Sequence, residues 1–373
     1  MDPFEKRSSV PLVYRIVFEN LRNRRTRTLL SALAVGLGVA MMLSIVGLAE
    51  GMLDAQRQRE QGIGADLMIL PPGMSAIGMS SAPMSERIEE FVRSQPHVEI
   101  ATGVTIQPIE RINRLTGINF AEFNAMAGFI FVEGGPFEEP FDVILDEFYA
   151  RQRDLHAGDT VEFLDRDWTV RGIVEPGKAA RVVMQKTVLQ ELTGANGKIT
   201  LVYAKLDDKA NLEDVMQSLE EKMEGYQIYS VEEFISQFSV DNLPELQTFI
   251  QVLIGLAIGF GFLVIFLTMH TAVLERTREI GILKSLGASS RYILGIFVRE
   301  ALVLGLLGTV AGIGASYLTK YAIDVFIPTM TQAIVMAWWP KALAVTMVGA
   351  LLGVLYPAFR AAKQDALESL SYE

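Results

Sequence analysis

The stretch LERTREIGILKSLGASS, residues 274–290, lies between two of the most apolar runs in the chain. It carries Glu275, Arg276, Arg278, Glu279 and Lys284, and then stops at Gly287. Continued as a helix, it sets Glu275 against Arg278 at i, i+3, with Glu279 one position on along that face. Ile280, Leu283 and Leu286 recur every third residue as an apolar stripe. Gly287 suits the left-handed position that ends a helix, and Ser289 and Ser290 suit the start of the next. The pattern predicts a short amphipathic helix, rigidly continuous with the apolar run before it. An anchor lying on anionic headgroups has no use for glutamates among its bases. A docking element for a soluble partner uses both signs of charge to fix register.

Outward from this stretch, four runs are apolar and long enough to cross about 30 Å of hydrocarbon, which takes roughly 20 helical residues. They cover 29–49, 249–273, 293–318 and 342–361. The first is too long, and its basic leader too long, for a signal peptide, despite the small residues Gly47 and Ala49 at its end. Small residues recur at every fourth position: Ala32, Gly36, Ala40 and Ser44; Gly255 and Gly259; Gly308, Gly312 and Ser316; Gly349 and Gly353. In lipid, such stripes let backbones approach closely, which favours a bundle or a dimer.

Half of the 373 residues are hydrophobic and the mean hydropathy is +0.29, too apolar for an ordinary soluble protein. The net charge of −11 argues against nucleic acid. Acids outnumber bases 34 to 17 between Glu50 and Glu245, so the rest of the chain is net basic. Bases collect at Arg15, Arg22, Arg24, Arg25 and Arg27 before the first span. They collect again at Arg276, Arg278, Lys284 and Arg291 after the second, with Lys363 after the fourth. The positive-inside rule then puts both termini and 274–292 in the cytoplasm, and the acidic 51–246 segment and the 319–341 loop outside.

The outside segment reads as α+β. Alternating strands are predicted at 65–70, 98–112, 143–145, 160–164, 168–174 and 199–204, and helices at 84–94, 145–154, 185–192, 212–223 and 231–238. In HAGD, Gly158 supplies the positive φ of a turn. The stretch 71–83, with Met74 and Met79, reads as a loop. Catalytic chemistry is not indicated. His97, His156 and His270 lack metal-ligand spacing, no GxSxG or GxxxxGK[ST] motif occurs, and the acids of DEFYARQRD and EFLDRDW read as a solvated surface. With no cysteine there is no disulfide or thiol chemistry. The reading calls for no cofactor and no metal.

ERTREIGILKSLGAS resembles the segment after the second span in the FtsX-like permeases, the type VII or mechanotransmission ABC transporters, a family that includes MacB-like macrolide exporters. ENLRNRRTRTLLSALAVGLGVAM is similar to the family's basic approach to the first span. DVILDEFYARQRDLHAGDTVEF, REALVLGLLGTVAGIGAS and YPAFRAAKQDALESL match later stretches in order. The tail QDALESL departs from the family's P-x-E-A-L-R.

The resemblance implies an α-helical membrane protein with four transmembrane helices and a large α+β extracytoplasmic domain between helices 1 and 2. Its segments are 1–50, 51–246, 247–273, 274–292, 293–318, 319–341 and 342–373. It implies the permease subunit of an export-type ABC system in the bacterial inner membrane, exporting or extracting a hydrophobic or amphipathic substrate. A separate cytoplasmic ATPase would bind the ATP. A homodimer, a membrane-fusion adaptor and an outer-membrane channel are further implied partners. Carried across residue by residue, Glu275, Arg276, Arg278, Glu279, Ile280, Gly281, Lys284, Gly287 and Ala288 match a coupling helix seated in a groove of that ATPase, with the Ile280–Leu283–Leu286 stripe as the seat. The alternative from another class is a transducer that transports nothing and regulates cell-wall hydrolases. Glu300, preceded by Arg299 near the inner end of the third span, reads as a snorkelling structural pair or as a functional intramembrane charge.

Overall fold

The computed structural model describes residues 12–73, 83–109, 114–178, 180–237 and 242–363. Met74, Met79 and the tail 364–370 lie outside the described residues. The chain forms two compact units: Met1–Ala49, Pro244–Ala322 and Gln332–Glu373 in one, Glu50–Leu243 and Ile323–Thr331 in the other.

The first unit is helical. Among the described residues, four helices are long and apolar enough to cross a membrane: Arg25–Gly62, Pro244–Glu275, Ser290–Phe326 and Met336–Lys363, the last opening with a short 3-10 turn at Met336–Trp338. Each runs beyond the apolar core that sequence marks, because helical hydrogen bonding outlasts the greasy stretch once the chain has left lipid. The third ends at Phe326 rather than near Leu318, so part of the expected 319–341 loop is helix. A further helix, Leu12–Asn23, precedes the first span where the sequence suggested only a basic approach.

Glycines decide how these helices pack. A Cβ on Gly36 would meet Gly308 O at 3.0 Å and Gly312 N at 3.2 Å, and one on Gly308 would meet Val35 Cγ1 at 2.6 Å. The first and third span helices therefore touch backbone to backbone, with no room for a larger residue. Gly349 and Gly353 do the same against 258–266 of the second span helix, where a Cβ on Gly353 would meet Phe262 O at 2.6 Å. Hydroxyl pairs add to the seam: Ser31 Oγ with Thr268 Oγ1 at 2.9 Å, and Ser44 Oγ with Thr319 Oγ1 at 2.7 Å. The Gly255–Gly259 stripe differs from the others. A Cβ at either position meets nothing within 4 Å, so among the described residues this stripe packs against no helix of its own chain.

The second unit is α+β. Its strands are β1 Leu67–Leu70, β2 Met84–Ser85, β3 Val98–Pro108, β4 Arg114–Ile118, β5 Phe131–Gly134 and β6 Asp142–Asp146, then β7 Thr160–Phe163, β8 Arg166–Val174, β9 Val182–Gln185, β10 Lys198–Ile199, β11 Leu201–Leu206 and β12 Gln227–Ser230. Nine form one continuous order, β12-β1-β11-β3-β4-β9-β6-β8-β5, with β7 hairpinned onto β8 and β10 paired with β2. The sheet is mixed: β4 pairs β9 in parallel and β6 pairs β8 in parallel, while β1, β3, β11 and β12 pair antiparallel. It carries two apolar cores. One gathers Leu67, Ile69, Val104, Phe123 and Leu219 around the β1–β11–β3 end. The other packs Leu145, Tyr149, Trp168, Met184 and Leu189 around β6, β8 and β9.

Candidate functional site

The charged stretch between the second and third spans is not one continuous helix with the second span, as its sequence suggested. The second span helix ends at Glu275, Arg276 takes φ −109° and ψ 16°, and a separate short helix runs Thr277–Ser285. Two amide bonds bridge the break: Arg276 N to Ala272 O at 3.2 Å, and Ile280 N to Arg276 O at 2.9 Å. The cause lies in the side chain. The Arg276 guanidinium turns into the bundle and donates from Nη1 to Glu300 Oε2 at 3.1 Å, with both side chains buried.

Gly287 ends the short helix with φ +93°. Its amide donates to Lys284 O at 2.9 Å and the Ala288 amide to Leu283 O at 2.9 Å, the paired bonds of a Schellman motif. The next helix starts at Ser290, with Ser289 Oγ accepting from Tyr292 N at 3.3 Å. Ser290 Oγ reaches across to Ala362 O at 2.9 Å, tying the corner to the end of the fourth span helix.

The stretch divides into two faces, and not along the line the sequence drew. Ile280, only 3% exposed, packs with Ile265, Met269 and Phe297, and Gly281 is buried beside it. Ile280 therefore seats the helix on its own bundle rather than on a partner, and Arg276 is likewise taken inward. Exposed are Arg278, Glu279, Ile282, Ser285 and Leu286, with Leu286 80% accessible; Leu283 and Lys284 are half-buried at the edge. Leu286, on a helix end fixed by a glycine, is a knob without a hole among the described residues.

Two charge pairings also differ from expectation. Glu275 does not pair with Arg278; it accepts from Arg27 Nη1 at 3.0 Å and contacts Arg24, both from the start of the first span. Glu300 pairs with Arg276 and not with Arg299, whose Nη1 donates to Gly295 O at 2.9 Å. Sequence reasoning read Arg24 and Arg27 only as topology signals. Their partner lies 248 residues away, and nothing local to either end announces it.

In the second unit a buried pair, Lys186 and Glu89, is tied to charges nearer the surface. Lys186 Nζ meets Glu86 at 2.7 Å and Glu89 at 2.9 Å, and Arg93 meets Glu89 at 2.8 Å and Glu122 at 2.9 Å. Burial works against the Lys186 charge, but Glu86 and Glu89 outweigh it and hold the ammonium above the usual lysine range. Asp146 caps the helix Glu147–Arg153 by accepting from Tyr149 N at 2.7 Å. Desolvation lifts its carboxyl to about 6, against the pull of that bond and of Arg181 and Arg59. His156, exposed and bonded to Glu133 at 3.2 Å, is raised by that contact. These groups hold strands and helix ends in place. Among the described residues no cluster of three or more histidine and acidic side chains is placed to hold a metal ion.

Residues 28–222 match the MacB-like periplasmic core domain and residues 251–366 the FtsX-like permease C-terminal family. The first match alone covers more than half of the chain, which belongs to the FtsX-like ABC transporter permeases built on a MacB-like periplasmic core domain. An uncharacterised ABC transporter permease of Methanocaldococcus jannaschii is 23% identical over 400 residues, spanning 99% of this chain and 100% of that protein. The macrolide export ATP-binding/permease protein MacB of Escherichia coli is 22% identical over 393 residues, spanning 96% of this chain and 60% of its own length. The chain thus spans about 60% of the macrolide exporter's length. The periplasmic region of MacB from Actinobacillus actinomycetemcomitans aligns with 49% of this chain and 96% of its own at a TM-score of 0.38 and 16% identity.

Proposed function

We propose that the chain is the permease of an export system in which a cytoplasmic ATPase pushes on the helix Thr277–Ser285 and the movement reaches the extracytoplasmic domain. ATP is bound by that ATPase. The permease works in the plasma membrane, as a homodimer, with 274–292 on the cytoplasmic side and the acidic 51–246 segment outside. The cargo is a hydrophobic or amphipathic molecule. An adaptor and an outer-membrane channel extend the system where the cell has a second membrane.

One observation carries this reading: the short helix turns Ile280 and Gly281 to its bundle and leaves Arg278, Glu279, Ile282 and Leu286 exposed. A face of mixed charge around exposed apolar side chains matches what a groove on a soluble partner recognises, with Leu286 as the anchor and the charges fixing register. The test is co-purification of the co-expressed ATPase with the full chain in nanodiscs, together with its hydrolysis rate. Leu286→Asp and Glu279→Lys are expected to leave insertion intact and to lower ATPase retention by about tenfold or more, as loss of an interface anchor does. Full retention by both variants would reduce 274–290 to a membrane-surface anchor and remove the reading's physical support.

A further inference from the structure

Three elements meet at the corner: the end of the second span helix, the helix Thr277–Ser285, and the third span helix Ser290–Phe326. The backbone bends at Arg276, and at that bend its guanidinium binds Glu300 at 3.1 Å. Neither side chain reaches solvent to any useful extent, at 6% and 3% exposed. Beside the pair is a cavity of about 10 Å³ lined by Arg24, Arg27, Thr268, Arg276, Glu300 and Leu304, among others, at the lower limit for one water. The apolar cluster of Ile265, Met269, Phe297 and Ala301 also takes in Ile280 of the short helix.

A buried ion pair is a poor source of stability, since desolvation consumes most of the attraction. It selects one arrangement here, because a slip that parts Arg276 from Glu300 leaves its guanidinium beside the like charges of Arg24 and Arg27, away from its carboxylate. Its position gives that selectivity a use. A hinge at Arg276 free to flex would absorb a push on the short helix. A hinge bound to Glu300 hands the push to the third span.

We propose that Arg276 and Glu300 are positioning residues that lock the short helix to the third span, so that force on its outward face moves that span instead of bending the corner. The proposal rests on the reading of the short helix as the ATPase contact, and neither residue touches the partner. The exposed Glu275 pairs with Arg24 and Arg27 steady the same corner from the first span, but water competes for them.

The chain has no cysteine, so spin labels placed through cysteines at Ser285 and Tyr317 report the spacing of the short helix from the third span in nanodiscs. The parent is expected to give one narrow distance distribution. Glu300→Gln is expected to broaden it about twofold, and the exchange of Arg276→Glu with Glu300→Arg to restore it. Should the glutamine variant fail to accumulate, Arg276→Lys replaces it, keeping the charge but losing the planar fork. With the co-expressed ATPase, Glu300→Gln is expected to retain the partner, since the outward face is untouched, while permease-dependent ATPase stimulation falls about tenfold. A distribution as narrow in Glu300→Gln as in the parent, or one the exchange leaves broad, overturns the lock. Loss of the ATPase from the parent chain itself is a failure of the coupling reading, and is read without any variant.

Discussion

The two units bury charge in opposite ways. In the α+β unit, Lys186 is held by Glu86 and Glu89, and Glu89 in turn by Arg93, which also binds Glu122 and the Ala101 carbonyl. In the helical unit, Glu300 faces Arg276 across one bond, with a water-sized cavity at its side. A network with several bonds per charge survives the loss of any single contact poorly, because the neighbours were placed around it. A pair with one direct bond, beside a cavity that Arg24 and Arg27 also line, has one preferred arrangement and slack around it. The first suits a domain that has to stay one shape; the second is what the corner would need if it transmits displacement as proposed.

Among the charge substitutions, the largest effect is expected where the network is cut. Lys186→Met keeps the apolar stem but leaves Glu89 buried with Arg93 alone, a lesion of about 3 kcal/mol on the scale of broken buried pairs. Thermal unfolding of the full chain in detergent, followed at Trp168 in the neighbouring core, checks this. A loss below about 1 kcal/mol would show that the knot is no tighter than a surface pair.

Asp146 sharpens the comparison, because it is a buried charge held by a single backbone bond. Its folded carboxyl, near 6, lies above the ordinary unfolded value of about 3.9, so the native state keeps a proton that the unfolded state has released. Stability from this group is complete below about pH 4 and fades as pH rises through about 6. Between pH 7 and pH 5 the wild type should gain about 1 kcal/mol that Asp146→Asn lacks, since asparagine keeps the capping acceptor without titrating. Equal pH profiles for the two proteins would mean that the arginines nearby fully compensate the burial.

Two smaller effects test the solvent side of the argument. Glu275→Gln removes two ion pairs, but Glu275 is about half exposed, and a cost below about 1 kcal/mol is expected for the corner. Gly259→Leu should cost the monomer nothing measurable, because a Cβ there meets open space. Gly312→Leu, whose Cβ would press on Val39 at 2.5 Å, should abolish a stable bundle. Trypsin resistance of the purified chains ranks the three. A Gly259→Leu chain as sensitive as Gly312→Leu would place the second-span stripe at a contact between copies.

Much of this was legible in the residues. The four spans stood out by apolar length, and the Thr160–Phe163 and Arg166–Val174 hairpin by alternation next to the Gly158 turn, where φ is +99°. Sequence missed β4, because Gly117 reads as a breaker. It is required there, since a Cβ would meet the Lys186 backbone at 3.0 Å and Leu189 at 3.1 Å. It missed β9 because a strand buried on both faces does not alternate, and that strand pairs with both β4 and β6. At the corner the stop at Gly287 could be read locally. The direction of Ile280 could not, because an apolar stripe does not say which of two available surfaces it meets.

The exposed leucine at the tip of the corner has a consequence for the life of the protein in the cell. If the proposed partner covers Leu286, which is 80% uncovered, together with the exposed Ile282, a copy without that partner would keep an apolar surface open to quality-control proteases and chaperones. Copies made in excess of their partner would be removed faster than assembled ones, and Leu286→Ser would lengthen the half-life of the orphan. Subunit stoichiometry would then be set by degradation, whatever the relative rates of synthesis.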